Sequence, residues 1–411
     1  MAATYHRSDG GSYTGGLGSG SQASLQWLAA MSTTPNMVGA YGDWSSKIVS
    51  DPPRLSFRNA HYTQLDAWRT EARSRYVASL LQPPPAGAPA ARLVRRADRD
   101  GLHIEHLEWQ LPYGPVTQAV FLKPANARGK LPAILGLHDH GGNKYFGARK
   151  ITRTGDDQHP LMAEHQNHYY GGAAWANEIA KRGFAVLVHD TFMFASRRVR
   201  LADLPGNIRN NMVENDPENS DEIKRFNNFA GAHEHLVAKS LFCAGLTWPG
   251  VFVWEDQRAL DVLLAREDVD AARAGCCGLS GGGLRTVFLT GADARIQCST
   301  AAGMMTTWRD YLLNKCHTHT WMCYIPSIPR DLDYPEIIGI NAPKPVLVLN
   351  NNEDSLFTLP EMRRADDILK AVYAKAGAAE RYKASFYPGP HKFDLEMQKE
   401  AWSWFERWLK A

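Results

Sequence analysis

The chain has 411 residues, a length that fits one large domain with embellishments or two domains. Hydrophobic residues make up 44% of it, ample for a buried core and against wholesale disorder. With 46 Lys and Arg against 43 Asp and Glu the net charge is +3, and no basic run is long enough to follow a phosphate backbone; Arg92, Arg95 and Arg96 are diluted at once by Asp98 and Asp100, so nucleic acid is not an expected partner.

Residues 1–20 are rich in Gly and Ser and are expected to form a mobile tail. A helix is predicted from Tyr62 to Leu81, because Leu65, Trp68, Ala72, Tyr76 and Leu80 recur at three- and four-residue steps; Pro83–Pro85 stop it. Residues 21–91 read as a helical flank or cap on the remainder of the chain. Segments 102–111 and 116–122, joined by Pro112-Tyr113-Gly114-Pro115, predict an antiparallel hairpin. Beyond it, strand and helix patterns alternate. The strands are Ala133–Leu137, Ala185–His189, Ala274–Cys277, Ile296–Ser299, Val346–Leu349 and Ser385–Tyr387; the helices are 173–182, 254–265, 361–376 and 393–410. Short apolar strands between amphipathic helices imply an α/β fold with a mostly parallel sheet covered on both faces. The stretches 143–170, 192–250 and 303–335 are too long for simple connections, and insertions of this kind are commonly active-site lids. Residues 92–411 are expected to form the catalytic domain.

Six cysteines occur, none in a CxxC pair, and Cys276 and Cys277 are vicinal, a poor arrangement for a disulfide. Reduced thiols in a cytoplasmic protein are the expectation. The N-terminus has no apolar signal region, and no stretch reaches the ~18 apolar residues of a membrane span, so no membrane association is expected.

Gly278-Leu279-Ser280-Gly281-Gly282 is a G-x-S-x-G between a short strand and a helix-compatible run, the setting of a nucleophile elbow. The glycines let the neighbouring strand and helix approach a serine held in strained backbone. An incidental serine in a glycine-rich turn is the competing interpretation. A serine hydroxyl needs a base and an orienting carboxylate. The strand ending at Leu349 runs into Asn350-Asn351-Asn352-Glu353-Asp354, so Asp354, with Glu353 as the alternative, lies at the C-terminal edge of the sheet; either could instead cap the next helix. His391, in the Pro/Gly loop Pro388-Gly389-Pro390 before the last helix, is the sole histidine after His319. Backbone N–H groups of Gly281 and, from the loop His138-Asp139-His140-Gly141-Gly142, of His140 or next Asp139 are the candidate oxyanion donors.

The order His-x-His-Gly-Gly, G-x-S-x-G, strand–Glu–Asp and Pro-Gly-Pro-His-Lys-Phe resembles the α/β-hydrolase superfamily over roughly residues 100–411. It looks most like its dienelactone-hydrolase-like and acetyl-xylan-esterase-like branch, as do Trp254–Leu260 and Asn341–Pro345. Two departures stand out: Asp139 where that family usually has glycine after the histidine, and a serine where dienelactone hydrolases carry cysteine, so the lactone substrate is not carried over. The resemblance implies a small-molecule ester substrate, with no cofactor. An amide, peptide or carbon–carbon bond as target, a catalytically silent binding protein on the same fold, and a homo-oligomer all stay open. The pairs His138/His140, His233/His235 and His317/His319 invite a metal, but none has nearby ligands at convincing spacing, and no metal is expected.

Overall fold

The computed structural model describes residues 35–216 and 218–410; the segment 1–20 and the start of the expected flank, 21–34, lie outside them. Nine strands form one sheet: β1 (Arg92–Arg99), β2 (Leu102–Trp109), β3 (Thr117–Pro124), β4 (Leu131–Leu137), β5 (Ala185–His189), β6 (Val269–Leu279), β7 (Cys298–Ala302), β8 (Val346–Asn351) and β9 (Tyr382–Tyr387). Their order is β1-β2-β3-β5-β4-β6-β7-β8-β9. The pairings β1–β2, β2–β3 (the expected hairpin) and β3–β5 are antiparallel, and β5, β4, β6, β7, β8 and β9 run parallel.

The longer helices are α1 (Leu65–Leu80), α2 (Pro160–Tyr170), α3 (Trp175–Lys181), α4 (Ser220–Cys243), α5 (Trp248–Leu264), α6 (Gly281–Ala292), α7 (Leu359–Lys375) and α8 (Leu395–Leu409). The period-2 rule of a strand divides them between the two faces of the sheet. Leu347 and Leu349 of β8 pack with Trp175 of α3 and with Trp402 and Phe405 of α8. Val346 and Val348 face the cluster holding Phe288 of α6 and Leu369 of α7. Helix α1 joins that second cluster through Trp68, Tyr76 and Leu80, and the Tyr76 hydroxyl donates to the Phe288 carbonyl at 3.1 Å.

Three features differ from the sequence expectation. Strand β1 was not expected, since its charged residues are exposed along nearly its whole length, as suits an edge strand. Strand β7 lies later than Ile296–Ser299, because the pairing of small residues up to Ala302 with β6 and β8 outweighs the apolar signal of Ile296. Inside 192–250 stands the 24-residue α4, started by Asn219, whose side chain accepts from the N–H groups of Asp221 and Glu222. Among the described residues no single helix is long and apolar enough to cross a membrane.

Candidate active site

Strand β6 ends at Leu279 and α6 begins at Gly281, leaving Ser280 alone in the turn with φ 56° and ψ −120°. A non-glycine residue at positive φ persists only where its surroundings over-determine it. Here the Ser280 N–H donates to Ala302 O at 2.9 Å, and Ser280 O accepts the first helical bond from Leu284 at 2.8 Å. The flanking glycines are required by space: a Cβ at Gly278 would stand 2.4 Å from Leu137 O, and one at Gly282 2.0 Å from the same atom.

The register Leu137↔Gly278 between β4 and β6 carries the 138–142 loop to this turn. His140 N lies 2.8 Å from where a Gly281 Cβ would be, so the two candidate oxyanion donors are neighbours. Gly281 opens α6, where first-turn N–H groups have no intrahelical acceptor.

His391 Nδ1 stands 2.6 Å from Asp354 Oδ2, and Asp354 Oδ1 accepts from Leu356 N at 2.9 Å. Asp354 is buried, whereas Glu353 is exposed, and its N–H donates to Gly389 O. Of the two carboxylates, Asp354 is thus the one joined to the histidine. The imidazole packs on the turn after β7: a Cβ on Gly303 would lie 2.8 Å from His391 Cε1 and 2.9 Å from Leu279 Cδ1. With Nδ1–H donated to Asp354, Nε2 carries the lone pair, and it is buried without a hydrogen-bond partner among the described residues. No hydrogen bond between it and Ser280 is present there. Tyr169 sets its ring edge-on to His391 at 6.2 Å between centroids.

The environment of the 138–142 loop is charged. Asp139 is buried beside Lys150, His165 and Tyr170, whose hydroxyl donates to Oδ1. Burial opposes its ionisation, but His165 and Lys150 hold its carboxyl well below the usual carboxylate range. The side chain at the departure from glycine is therefore an anchor behind the loop. His140 accepts from Gly142 N at Nδ1, 3.0 Å, so its Nε2–H donates to Glu234 of α4 at 2.8 Å. Burial keeps His140 and, more strongly, His138 below the ordinary histidine range. His319 donates to Leu356 O at 3.0 Å, and burial pulls its pKa down to about 4. His235 bonds Ala232 O, and His233 stacks on Phe229. Lys150, Glu234 and Tyr169 were not legible in the sequence as parts of this centre; no motif marks them. A separate groove of about 910 Å³ opens along β2, β3 and the 145–159 segment, and Ser280, Asp354 and His391 do not line it. Of the five arginines that line it, Arg149, Arg198 and Arg200 are paired with Glu218, Glu214 and Asp203.

The sheet order and the serine turn define an α/β-hydrolase fold, as the motif resemblance implied. The chain is similar to YtaP of Bacillus subtilis (strain 168), a protein provisionally named a hydrolase, with 24% identity over 344 residues, 83% of this chain and 100% of that protein. Among solved structures it is similar to a provisionally assigned acetyl xylan esterase from Bacteroides fragilis NCTC 9343, with a TM-score of 0.61 and 18% identity, covering 85% of this chain and 83% of that one. It is also similar to a glucuronoyl esterase from Solibacter usitatus, with a TM-score of 0.58 and 13% identity, covering 88% and 99%. No protein-family model matches the chain.

Proposed function

We propose that this chain is a serine hydrolase that cleaves a carboxylic ester, with Ser280 as nucleophile, His391 as general base and Asp354 as its orienting acid. One observation carries the proposal: the Asp354–His391 pair, joined at 2.6 Å, is seated on Gly303 and Leu279, directly beside the serine turn. His391 Nε2 takes the Ser280 proton, and the alkoxide attacks the ester carbonyl carbon. The oxyanion accepts from the N–H groups of Gly281 and His140. Collapse expels the alcohol, protonated by His391; water, deprotonated by the same nitrogen, then attacks the acyl-enzyme and releases the acid. The names of the structural neighbours favour a small acyl or carbohydrate ester as substrate. Helix α4 and residues 303–335 serve as cover over the site, roles supported by the Glu234–His140 bond and by the His319–Leu356 bond respectively.

Turnover of p-nitrophenyl acetate and p-nitroacetanilide by wild type and Ser280→Ala tests this. The ester is expected to be cleaved faster, and its turnover to fall at least about 10³-fold in the variant. Equal ester rates in the two proteins would remove Ser280 from the chemistry.

A further inference from the structure

The peptide that joins Asp139 to His140 has a cation at its carbonyl end. Lys150 Nζ donates to Asp139 O at 2.7 Å and to His140 O at 2.9 Å, and stands 3.7 Å from Asp139 Oδ2. His138 Nδ1 also contacts Asp139 O, at 3.1 Å, and Asn143 N donates to His140 O at 3.0 Å. The lysine is completely buried and comes from the short turn Ala148–Lys150, which Asp190 Oδ1 fixes by accepting from Ala148 N at 2.8 Å. At the other end of the same peptide unit is the His140 N–H, beside Gly281.

A buried ion pair is a poor route to stability, since well-packed apolar residues of similar size do as well or better. An ammonium bonded to a carbonyl does something apolar residues cannot: it fixes the plane of the peptide and polarises its N–H into a stronger donor. We propose that Lys150 is a positioning residue of the oxyanion hole, pinning the Asp139–His140 peptide so that its N–H meets the developing negative charge, with Asp139 as its counter-ion. The inference rests on the Ser280 hydrolase reading. It also accounts for an aspartate at the position where glycine is usual.

The groups facing the ammonium come from every element packed on it: His138, Asp139, His140 and Lys144 from the loop after β4, Asp190 after β5, Arg285 from α6, and the Phe194 ring at 4.9 Å. On Asp139 itself act His165 and Tyr170 of α2. Burial draws the ammonium down to about 8, Asp139 opposing. The oxyanion donor is therefore expected to weaken as pH rises through that value.

The experiment compares wild type with Asp139→Asn/Lys150→Met, in which both buried charges are removed together so that neither is left unpaired. The variant is expected to lose about 10²-fold in kcat on p-nitrophenyl acetate with little change in KM, the mark of an interaction made in the transition state. Wild-type kcat is expected to fall as pH rises through about 8, and the variant to lose that fall. In protein labelled with ¹⁵N-histidine, the His140 amide signal should follow the same titration in wild type and not in the variant. Unchanged kcat in the variant, beside Ser280-dependent turnover in wild type, overturns the clamp and leaves the hydrolase reading standing. Absence of Ser280-dependent turnover overturns the hydrolase reading and, with it, the oxyanion role of Lys150.

Discussion

Gly303 is the seat of His391: a single methyl group there would press to 2.8 Å from Cε1 and 3.1 Å from Nδ1 of the imidazole. Its φ of +55° adds a second reason for glycine. Gly303→Ala is therefore expected to cost about 1–2 kcal/mol in stability and to reduce kcat about 10²-fold by displacing the ring. Urea unfolding and ester kinetics on one preparation separate the two effects; full activity in a folded variant would deny the seat its importance.

The two adjacent carboxylates separate cleanly. Asp354→Asn is expected to lower kcat by about 10⁴-fold, since an amide can enforce the wrong tautomer of His391. Glu353→Gln, altering an exposed side chain without a bond to His391, should leave kcat nearly unchanged. Steady-state kinetics of both variants decide the assignment, and the reverse ranking would transfer the acid role to Glu353.

Glu234 bridges α4 to the 138–142 loop and Lys144, with Oε1 2.8 Å from both Lys144 Nζ and His140 Nε2. Lys144 is buried, its ammonium lying 4.7 Å from the Phe194 ring centroid and 4.8 Å from that of Trp248. Glu234→Ala strands that cation, at an expected cost of about 3–5 kcal/mol. Adding Lys144→Met should recover most of it. Denaturation of Glu234→Ala, Lys144→Met and the double variant beside wild type provides the cycle, and a double variant no more stable than Glu234→Ala would contradict the pairing.

His319 adds a pH dependence with a definite sign. Its pKa of about 4 lies below the ordinary 6.5, so between these values the unfolded chain binds a proton that the folded one does not. Its contribution is present above about pH 6.5 and is lost as pH falls toward 4. At pH 5 the loss amounts to roughly 2 kcal/mol. In His319→Gln, which keeps a donor for Leu356 O, the difference in urea midpoint between pH 7 and pH 5 should shrink; an unchanged difference would assign the acid sensitivity elsewhere.

The parts of this centre that are local in sequence were the legible ones. Ser280 is announced by glycines two residues to either side, because close backbone approach leaves a compositional trace. Asp354 and His391 are placed by their positions after strands β8 and β9 of a parallel sheet. The Lys150–Asp139–Tyr170 cluster and the Glu234–His140 bond are different: their partners lie up to 31 and 94 positions apart, and ordinary Lys, Tyr and Glu carry no motif. Helix α4 was hidden for another reason. One face of it is only partly covered, leaving Phe242 exposed, and the segment read as an irregular insertion.

The central claim is that Ser280 is a nucleophile activated by His391, and covalent labelling probes it most directly. Wild-type protein treated with a fluorophosphonate and mapped by peptide mass spectrometry should carry one phosphonyl adduct, on the peptide containing Ser280, formed far more slowly in His391→Ala. An unlabelled Ser280, or an adduct formed at the same rate without the histidine, would contradict the account.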